Sequence, residues 1–464
     1  EGGLKLINFF AVHNIDFNKA WKAKQSGWHD QTRAIFANAE IGWKSMIYLT
    51  ATGRNDWDSR LAFSDYKSFF YPSIGLSAIL TSMFNAPDWL TYLKVRGSYT
   101  EVGNSYGRFM TTVTYPYDEQ TQSWTSTSSY PNTKLKPERT KSWEVGLDAR
   151  ILNDISLNLT YYRSNTYNQT FYADLSLSSG YSNIPIQSGN IMNEGLEMSL
   201  GYNKQWKDFS FNTNYTLTWN KNRVKRLADG VYNYATGQPI QMPELSPLTY
   251  GHTDARLILR VGGSMGDVYG QRLLKRDLNG YILNEEGVGL AMENKETYLG
   301  SILPKMNMGW SLGFGYKGVN LGMTFTGRFG GIVISETQSV LDAAGVSKVS
   351  ADVRDAGGVQ INQSKVSAQT YYQTIQGTAA YYTYSATNVR LGELSLSYTL
   401  PKKWFDNKVG MTVGLVGKNL WMIYCKAPFD PELTTSAASN FYQGFDAYML
   451  PSTRNFGFNV KFQF

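Results

Sequence analysis

Apolar and polar side chains alternate along most of this chain with a period of two. The pattern is clearest at the end, where R-N-F-G-F-N-V-K-F-Q-F places aromatic or β-branched side chains on one face and polar residues or glycine on the other. This period is the geometry of an extended strand with two unlike faces. Similar stretches lie near residues 31–42, 45–54, 69–80, 90–102, 140–151, 154–166, 193–203, 207–220, 304–316, 318–328, 388–400, 408–420 and 453–464. The sequence therefore predicts thirteen strands, or fifteen if residues 256–283 form a further hairpin.

The length and the polar face of these stretches favour strands that cross a membrane. Each is about as long as the ~9–11 residues that a tilted membrane strand needs. The polar faces carry mostly Asn, Ser, Thr and Gly, which suit a crowded, wet lumen, whereas a soluble sandwich would expose many Lys and Glu there. The alternative, a half-buried last strand of a soluble sandwich, would leave an apolar edge open to aggregation. We therefore predict an all-β fold, an antiparallel transmembrane β-barrel.

The connections between these stretches alternate between short and long. Short turns are expected at 42–45, 82–89, 152–154, 203–207, 317–318 and 401–408. Long extracellular loops are expected at 103–139, 167–192, 221–303, 329–387 and 421–452, and residues 1–30 are predicted to be a further extracellular loop region. Strict alternation puts every long loop at one end of the sheet, as in outer-membrane barrels. Residues 31–464 are thus predicted to form part of one barrel whose long loops carry function.

The predicted number of strands bears on barrel closure because it is odd. Bacterial single-chain barrels close antiparallel with an even number of strands. An open edge in lipid would leave backbone N–H and C=O groups unpaired, and each such group costs several kcal/mol. We therefore predict that strand 453–464 does not pair with strand 31–42. The missing strands would come from a second polypeptide or from a further N-terminal segment.

Strand 140–151 gives the sharpest prediction of which side chains meet lipid. Its charged residues Glu144, Asp148 and Arg150 alternate with apolar residues. An arginine at the bilayer midplane costs ~2–4 kcal/mol, so the register should be firmly set. The lipid-facing set is predicted to be Trp143, Val145, Leu147, Ala149 and Ile151. The interior set is predicted to be Ser142, Glu144, Gly146, Asp148 and Arg150.

Charge and histidine content argue against several other classes of protein. The net charge of +7 is spread along the chain, which disfavours a nucleic-acid partner. The three histidines, His13, His29 and His252, are scattered, and no catalytic or metal-binding arrangement emerges. We therefore expect neither an enzyme nor a cofactor.

Two further polar features have simple interpretations. The one cysteine, Cys425, falls in a predicted loop with nothing around it that suggests a nucleophile. The run D-L-N-G at 277–280 is typical of a turn in which the aspartate side chain binds the backbone. A calcium site over 277–286 is the alternative left open, although later oxygen ligands at calcium-loop spacing are lacking.

Aromatic residues in the long loops are the candidate binding residues. They are Trp124, Tyr371, Tyr372, Tyr381, Tyr382 and Tyr384. The favoured interpretation is that they pack the loops or contact a partner protein. The alternative is stacking on a sugar ring or a peptide side chain, because a flat apolar ring with a polar edge suits both.

Five segments, in order, carry a more specific pattern. They read Y-L-T-A-T-G-R-N-D-W-D (48–58), Y-L-K-V-R-G-S-Y-T-E-V-G-N (92–104), L-K-P-E-R-T-K-S-W-E-V-G-L-D-A (135–149), N-E-G-L-E (193–197) and P-S-T-R-N-F-G-F-N-V-K-F-Q-F (451–464). Together they resemble the barrel of SusC/RagA-type TonB-dependent transporters of the Bacteroidetes outer membrane. The resemblance implies a barrel of about 22 strands, of which this chain is the C-terminal part. It also implies a plug and a TonB box, neither of which this sequence contains.

The resemblance implies a function in nutrient import across the outer membrane. Energy would come from the periplasmic partner TonB, acting through the plug, and a SusD-like surface lipoprotein would serve as a lid. The cargo would be a glycan or an oligopeptide. Two alternatives remain open at this point: a passive outer-membrane porin, and a surface adhesin or assembly scaffold that transports nothing.

Overall fold

Thirteen long strands form one antiparallel sheet in the computed structural model of the chain. The structure describes residues 4–6, 9–16, 27–118, 123–232, 237–285, 289–433, 435–436 and 440–464. The other positions of the predicted 1–30 region, parts of three predicted long loops and residues 286–288 of the candidate calcium segment lie outside the described residues.

The strands of this sheet follow one another in chain order, each paired with its neighbours. They are β1 Thr32–Trp43, β2 Ile47–Asp58, β3 Phe69–Ile79, β4 Leu90–Asn104, β5 Glu138–Ile151, β6 Ile155–Asp174, β7 Asn183–Trp206, β8 Phe209–Arg226, β9 Met306–Tyr316, β10 Val319–Phe329, β11 Asn388–Leu400, β12 Gly410–Cys425 and β13 Asn455–Gln463. Each predicted strand is present, so the prediction of an antiparallel all-β fold is confirmed.

One predicted loop is mostly strand. Residues 167–192 were expected to form an outer loop, but β6 continues to Asp174 and β7 begins at Asn183. Only 175–182 connects them. Cross-strand pairing holds through this extension, from Gln169 opposite Ser188 to Asp174 opposite Asn183. The hairpin therefore rises well beyond the ~9–11 residues that a membrane strand requires, and packing against other loops holds its upper part.

The hairpin that would have raised the strand count lies outside the large sheet. Arg256–Arg260 does pair with Asp267–Leu274. These strands belong to a separate four-stranded sheet with Glu244–Thr249 and Met292–Ser301. The large sheet thus keeps thirteen strands.

Register across the large sheet separates two faces. One row runs Val95, Leu147, Leu159, Met198 and Leu217 across β4 to β8. The neighbouring row on the opposite side runs Lys94, Asp148, Asn158, Ser199 and Thr216. We call the sides that contain these rows the apolar face and the polar face. Cross-strand neighbours thus present like side chains to the same side, which fixes the register.

Strand β5 has the alternation predicted for it. Trp143 packs its ring 5.4 Å from that of Tyr161 on the apolar face. Asp148 accepts a hydrogen bond from Arg96 Nη1 at 2.9 Å on the polar face, and Arg96 Nη2 also donates to the Thr160 hydroxyl. Arg96 and Asp148 therefore form an ion pair on the polar face of the sheet.

The sheet does not close on itself. Within the described residues, β1 pairs with β2 alone and β13 with β12 alone. Every residue of both strands is exposed. Strand β13 does not pair with β1, as the odd strand count predicts.

Helices contribute little to the architecture. They are α1 Leu80–Met83, α2 Glu336–Ala343, α3 Lys348–Asp355 and α4 Ala368–Ile375. Ser335, Ser347 and Ser367 cap α2, α3 and α4, each hydroxyl accepting a hydrogen bond from a backbone N–H of the first turn. In the part of the chain that the structure describes, no helix has the length and apolarity to cross a membrane.

The two faces give a direct test in the full-length protein. Val145→Arg would place a charge on the apolar face in the middle of β5, and we expect it to lower the free energy of unfolding by ~2–4 kcal/mol. Urea unfolding in lipid vesicles, followed by tryptophan fluorescence, measures this. Glu144→Arg, one residue away on the polar face, is the matched control and should cost less than about 1 kcal/mol. Equal costs would contradict the assignment of the faces.

Candidate functional site: a folded cap at one end of the sheet

Three long connections fold together into one body at one end of the sheet. They are 227–305, 330–387 and 426–454, and we call the body that their described residues form the cap. Besides the four-stranded sheet and α2 to α4, it contains a three-stranded sheet in the order Thr383–Ser385, Ile332–Ser335, Phe445–Asp446. The remaining short strands of the cap are Ala228–Tyr232, Pro239–Met242, Asn284–Glu285, Gly289–Leu290, Val359–Ile361 and Ser364–Val366.

A shared hydrophobic core holds the three connections together. Its buried residues are Tyr250, Ala255, Leu257, Val268, Ile302, Ile334, Ala379 and Phe445. All three connections contribute to this set. Because none of them could bury these side chains alone, the cap gains its stability from their association.

Polar contacts fasten the same connections to one another. The Tyr250 hydroxyl donates to the Phe441 carbonyl oxygen at 2.8 Å. Ser335 Oγ donates to Asp446 Oδ2 at 2.6 Å, beside the parallel pairing of Ile334 with Phe445. These groups are buried, so breaking a contact would leave a polar group unsatisfied.

Two further cores extend this packing to the other loops. One joins Phe171, Ile184 and Ile186 of the β6–β7 hairpin to Leu227 and Leu259 of the cap. The other joins connection 59–68 to connection 105–137 and consists of Leu61, Phe69, Tyr106 and Leu135. Tyr130 of connection 105–137 also packs against the first of these cores, so the described parts of these connections contact one another.

Four of the six candidate aromatic residues pack inside the cap. Tyr372 and Tyr382 are buried in a core with Leu274 and Ile375, and Tyr371 and Tyr381 pack against it. The Tyr381 hydroxyl accepts a hydrogen bond from the backbone N–H of Leu274 at 3.1 Å. Tyr371 and Tyr372 meet edge to face, with ring centroids 5.3 Å apart. The structure thus places these rings among cap side chains.

Tyr384 lies beside this group and packs edge to face on Phe429, with 5.6 Å between ring centroids. Burial, together with the nearby Asp342 carboxylate, raises the pKa of Tyr384 to about 12. The same two causes raise the pKa of Tyr382. Both hydroxyls are therefore neutral at physiological pH, and their rings serve as apolar packing surface with a polar edge.

Trp124 stands apart from the five tyrosines. It lies on a small hairpin in which Ser123–Trp124 pairs with Tyr117–Asp118. Its side chain is 70% exposed, and its ring lies 5.0 Å from that of Tyr117, also exposed. Of the candidates, Trp124 thus offers the most open aromatic surface.

Two clefts accompany the cap, and their acidic residues were not among the residues that the sequence analysis identified. A cleft of about 470 Å³ between α2, α3 and α4 is lined by Asp342, Arg354 and Tyr372, among others. A cleft of about 570 Å³ lies where the cap meets the end of β8, and its lining includes Asp267 and Tyr298. The Tyr298 hydroxyl donates to Asp267 Oδ1 at 3.2 Å, and burial raises the pKa of Asp267. Isolated acidic residues in long loops carry no periodic signal that would have identified them.

The turn at 277–280 and the cysteine have defined places in the structure. Asp277 Oδ1 accepts hydrogen bonds from the backbone N–H groups of Asn279 and Tyr281, as expected of the predicted turn. Among the described residues, no group of three or more His, Cys, Asp or Glu side chains could hold a metal ion. Cys425 is the last residue of β12, which corrects its predicted place in a loop.

An open antiparallel sheet with unlike faces and a packed cap at one end defines a segment of a large outer-membrane barrel. The family model described as "TonB dependent receptor-like, beta-barrel" matches residues 13–420, and the chain belongs to that family. Its members are outer-membrane receptors and transporters rather than enzymes.

Individual relatives agree with this membership. The chain is 25% identical over its whole length to "TonB-dependent receptor P3" of Formosa agariphila, covering 49% of that protein. It is 25% identical to "TonB-dependent receptor SusC" of Bacteroides thetaiotaomicron over 46% of the chain and 19% of that protein. The solved RagAB peptide transporter superposes on 93% of the chain with a TM-score of 0.70 at 20% identity, which shows the shared fold. The chain spans about half the length of the curated relatives that match most of it.

The shared core of the cap can be tested by one pair of leucines. Leu257→Ala removes a fully buried side chain from this core, and we expect it to lower the free energy of unfolding by ~2–5 kcal/mol. Limited proteolysis of intact cells should then cleave the cap faster. Leu278→Ala, at a fully exposed position in the same connection, should leave the cleavage rate unchanged. A cap that resists protease equally in both variants would argue against a shared core.

Proposed function

We propose that this chain is the C-terminal part of a SusC-like importer that carries a glycan or an oligopeptide across the outer membrane. The observation that supports the proposal most is the cap: a large packed body at one end of a polar-faced sheet, in a chain of this receptor family. No covalent chemistry is required. The sheet supplies the wall, the polar face lines the path, and the long connections receive the cargo.

The proposed importer requires chain beyond this segment. The unpaired edges of β1 and β13 need further strands, because lipid leaves unpaired N–H and C=O groups unsatisfied. The proposal assigns those strands, and a plug inside the closed barrel, to the rest of the protein. TonB in the periplasm would supply energy through the plug, and a SusD-like surface lipoprotein would cover the cap.

The substrate class follows from surface chemistry only in part. Exposed Trp124 and Tyr117 provide flat rings on which a sugar or a peptide side chain can stack. The matched RagAB structures are described as those of a peptide importer, and this description adds weight to the peptide alternative. The tyrosines packed in the cap would support the receiving surface indirectly.

Loss of TonB tests the transport proposal. In cells that carry the full-length protein and its chromosomal neighbours, uptake of the cognate glycan or peptide should fall to background when TonB is deleted. Binding at the cell surface should persist. Uptake that continues without TonB would instead indicate a passive porin, and binding with no uptake in either strain would indicate an adhesin or scaffold.

Trp124 gives a residue-level test of the receiving surface. We expect Trp124→Ala to weaken cargo binding by more than about 1 kcal/mol, because truncating a tryptophan at a binding surface removes a large apolar contact. Titration of the purified complex with its cargo measures this. Tyr382→Phe is the control, because it removes a buried hydroxyl with no hydrogen-bond partner among the described residues. Equal affinity of Trp124→Ala and the unaltered protein for the cargo would show that Trp124 is not part of the binding site.

A further inference from the structure

Arg390 lies on the polar face at the cap end of β11. It stands opposite Thr326 of β10, which in turn stands opposite Gly309 of β9. Gly309 is paired with Thr216 of β8 in the polar row described above. The arginine therefore points to the polar, interior side of the sheet, at the end where β11 meets the cap.

Its guanidinium group holds the first part of connection 426–454. Arg390 Nη1 and Nη2 donate to the two oxygens of Asp430 at 2.9 and 2.8 Å, a bidentate pair. Nη2 also lies 3.4 Å from Glu432 Oε2. Asn388, which is fully buried, accepts from Arg390 Nε and donates to Glu432 Oε1 at 3.0 Å. We call residues 426–433 the strap and this set of contacts the clasp.

The strap lies against the only cysteine of the sequence, which is half-buried. Cys425 lies opposite Asn388, on the same face as Arg390. Its Sγ lies 3.5 Å from the carbonyl oxygen of Ala427 and 3.7 Å from that of Phe429, both in the strap. The thiol therefore reports whether the strap lies against the wall.

The clasp differs from the other ion pairs of the cap in its burial. The side chains of Arg390 and Asp430 are 11% and 8% exposed. Burial alone would raise the pKa of the Asp430 carboxyl, but the Arg390 guanidinium, together with hydrogen bonds from the Glu432 backbone N–H and the Ser452 side chain, outweighs burial and holds the pKa below its usual range. Arg260, by contrast, pairs with Glu244 and Glu296 at the surface. Separating a buried ion pair leaves an unpaired charge in the interior, which costs much free energy, whereas separating an exposed pair costs little.

We propose that the strap is held permanently against the inner side of the barrel opening, at the end that carries the cap. Arg390 is the positioning residue that keeps it there. The strap therefore narrows the barrel opening and limits the width of the cargo that can enter. This inference rests on the barrel of the proposed function and applies to an importer or to a porin.

Maleimide labelling of Cys425 in isolated outer membranes tests the clasp, with the full-length protein and Cys425→Ser as the background. The unaltered protein should label far more slowly than urea-unfolded protein. Arg390→Glu and Asp430→Arg should each accelerate labelling at least about tenfold, because a stranded buried charge favours the released strap. The double variant with both changes should return most of the way to the slow rate. That rescue distinguishes a specific clasp from a general loss of packing.

Arg260→Glu is the matched control and should leave the labelling rate unchanged. Heat-modified gel mobility shows which variants form a barrel. If a charge-reversal variant does not form a barrel, Arg390→Lys and Asp430→Asn are used in its place. Each of these should accelerate labelling by a smaller factor than a charge reversal would. Fast labelling of the unaltered protein, or slow labelling of barrels that carry the single changes, would overturn the proposal.

Discussion

Backbone hydrogen bonding in a medium without water is the constraint on which the rest of this structure depends. Each strand inside lipid must find its partners on neighbouring strands, and the long sheet does so from β2 to β12 on both sides. The same pairing sets the direction of every side chain, since alternate residues point to opposite faces. A shift by one residue would turn Asp148 and Arg96 toward lipid, so the ladder and the side-chain pattern enforce one another.

The wall was predictable from sequence because its signal is local and periodic. The alternation in β5 and β13 can be read without knowing any neighbour, and the order of strands follows from short turns. The upper part of the β6–β7 hairpin was not predictable in the same way. Residues such as Ile184 and Ile186 stay extended because cap residues bury them, and that partner lies far away in the chain. Tertiary packing, rather than local pattern, extends these strands.

The candidate residues likewise separate into what local sequence shows and what tertiary packing decides. A run of tyrosines in a long loop indicates an aromatic cluster, but sequence cannot show whether a ring faces solvent or a core. Tyr372 and Tyr382 are buried, whereas Trp124 is open, and neighbouring connections decide which. The clasp carries still less signal, because Arg390 and Asp430 lie in different elements and become partners only when β11 and the strap meet. Only the fold determines which polar side chains of distant segments come within hydrogen-bond distance.

The bond between Tyr250 and Phe441 has a consequence for the order of biogenesis. It joins positions 191 residues apart, across four strands of the wall. Contacts of such long range form late, because the intervening chain must be ordered first. The first connection of the cap must therefore wait, incompletely packed, until nearly the whole segment has been synthesised and β12 has been inserted. A protease-resistant cap then marks a molecule whose wall is ordered at least through β12.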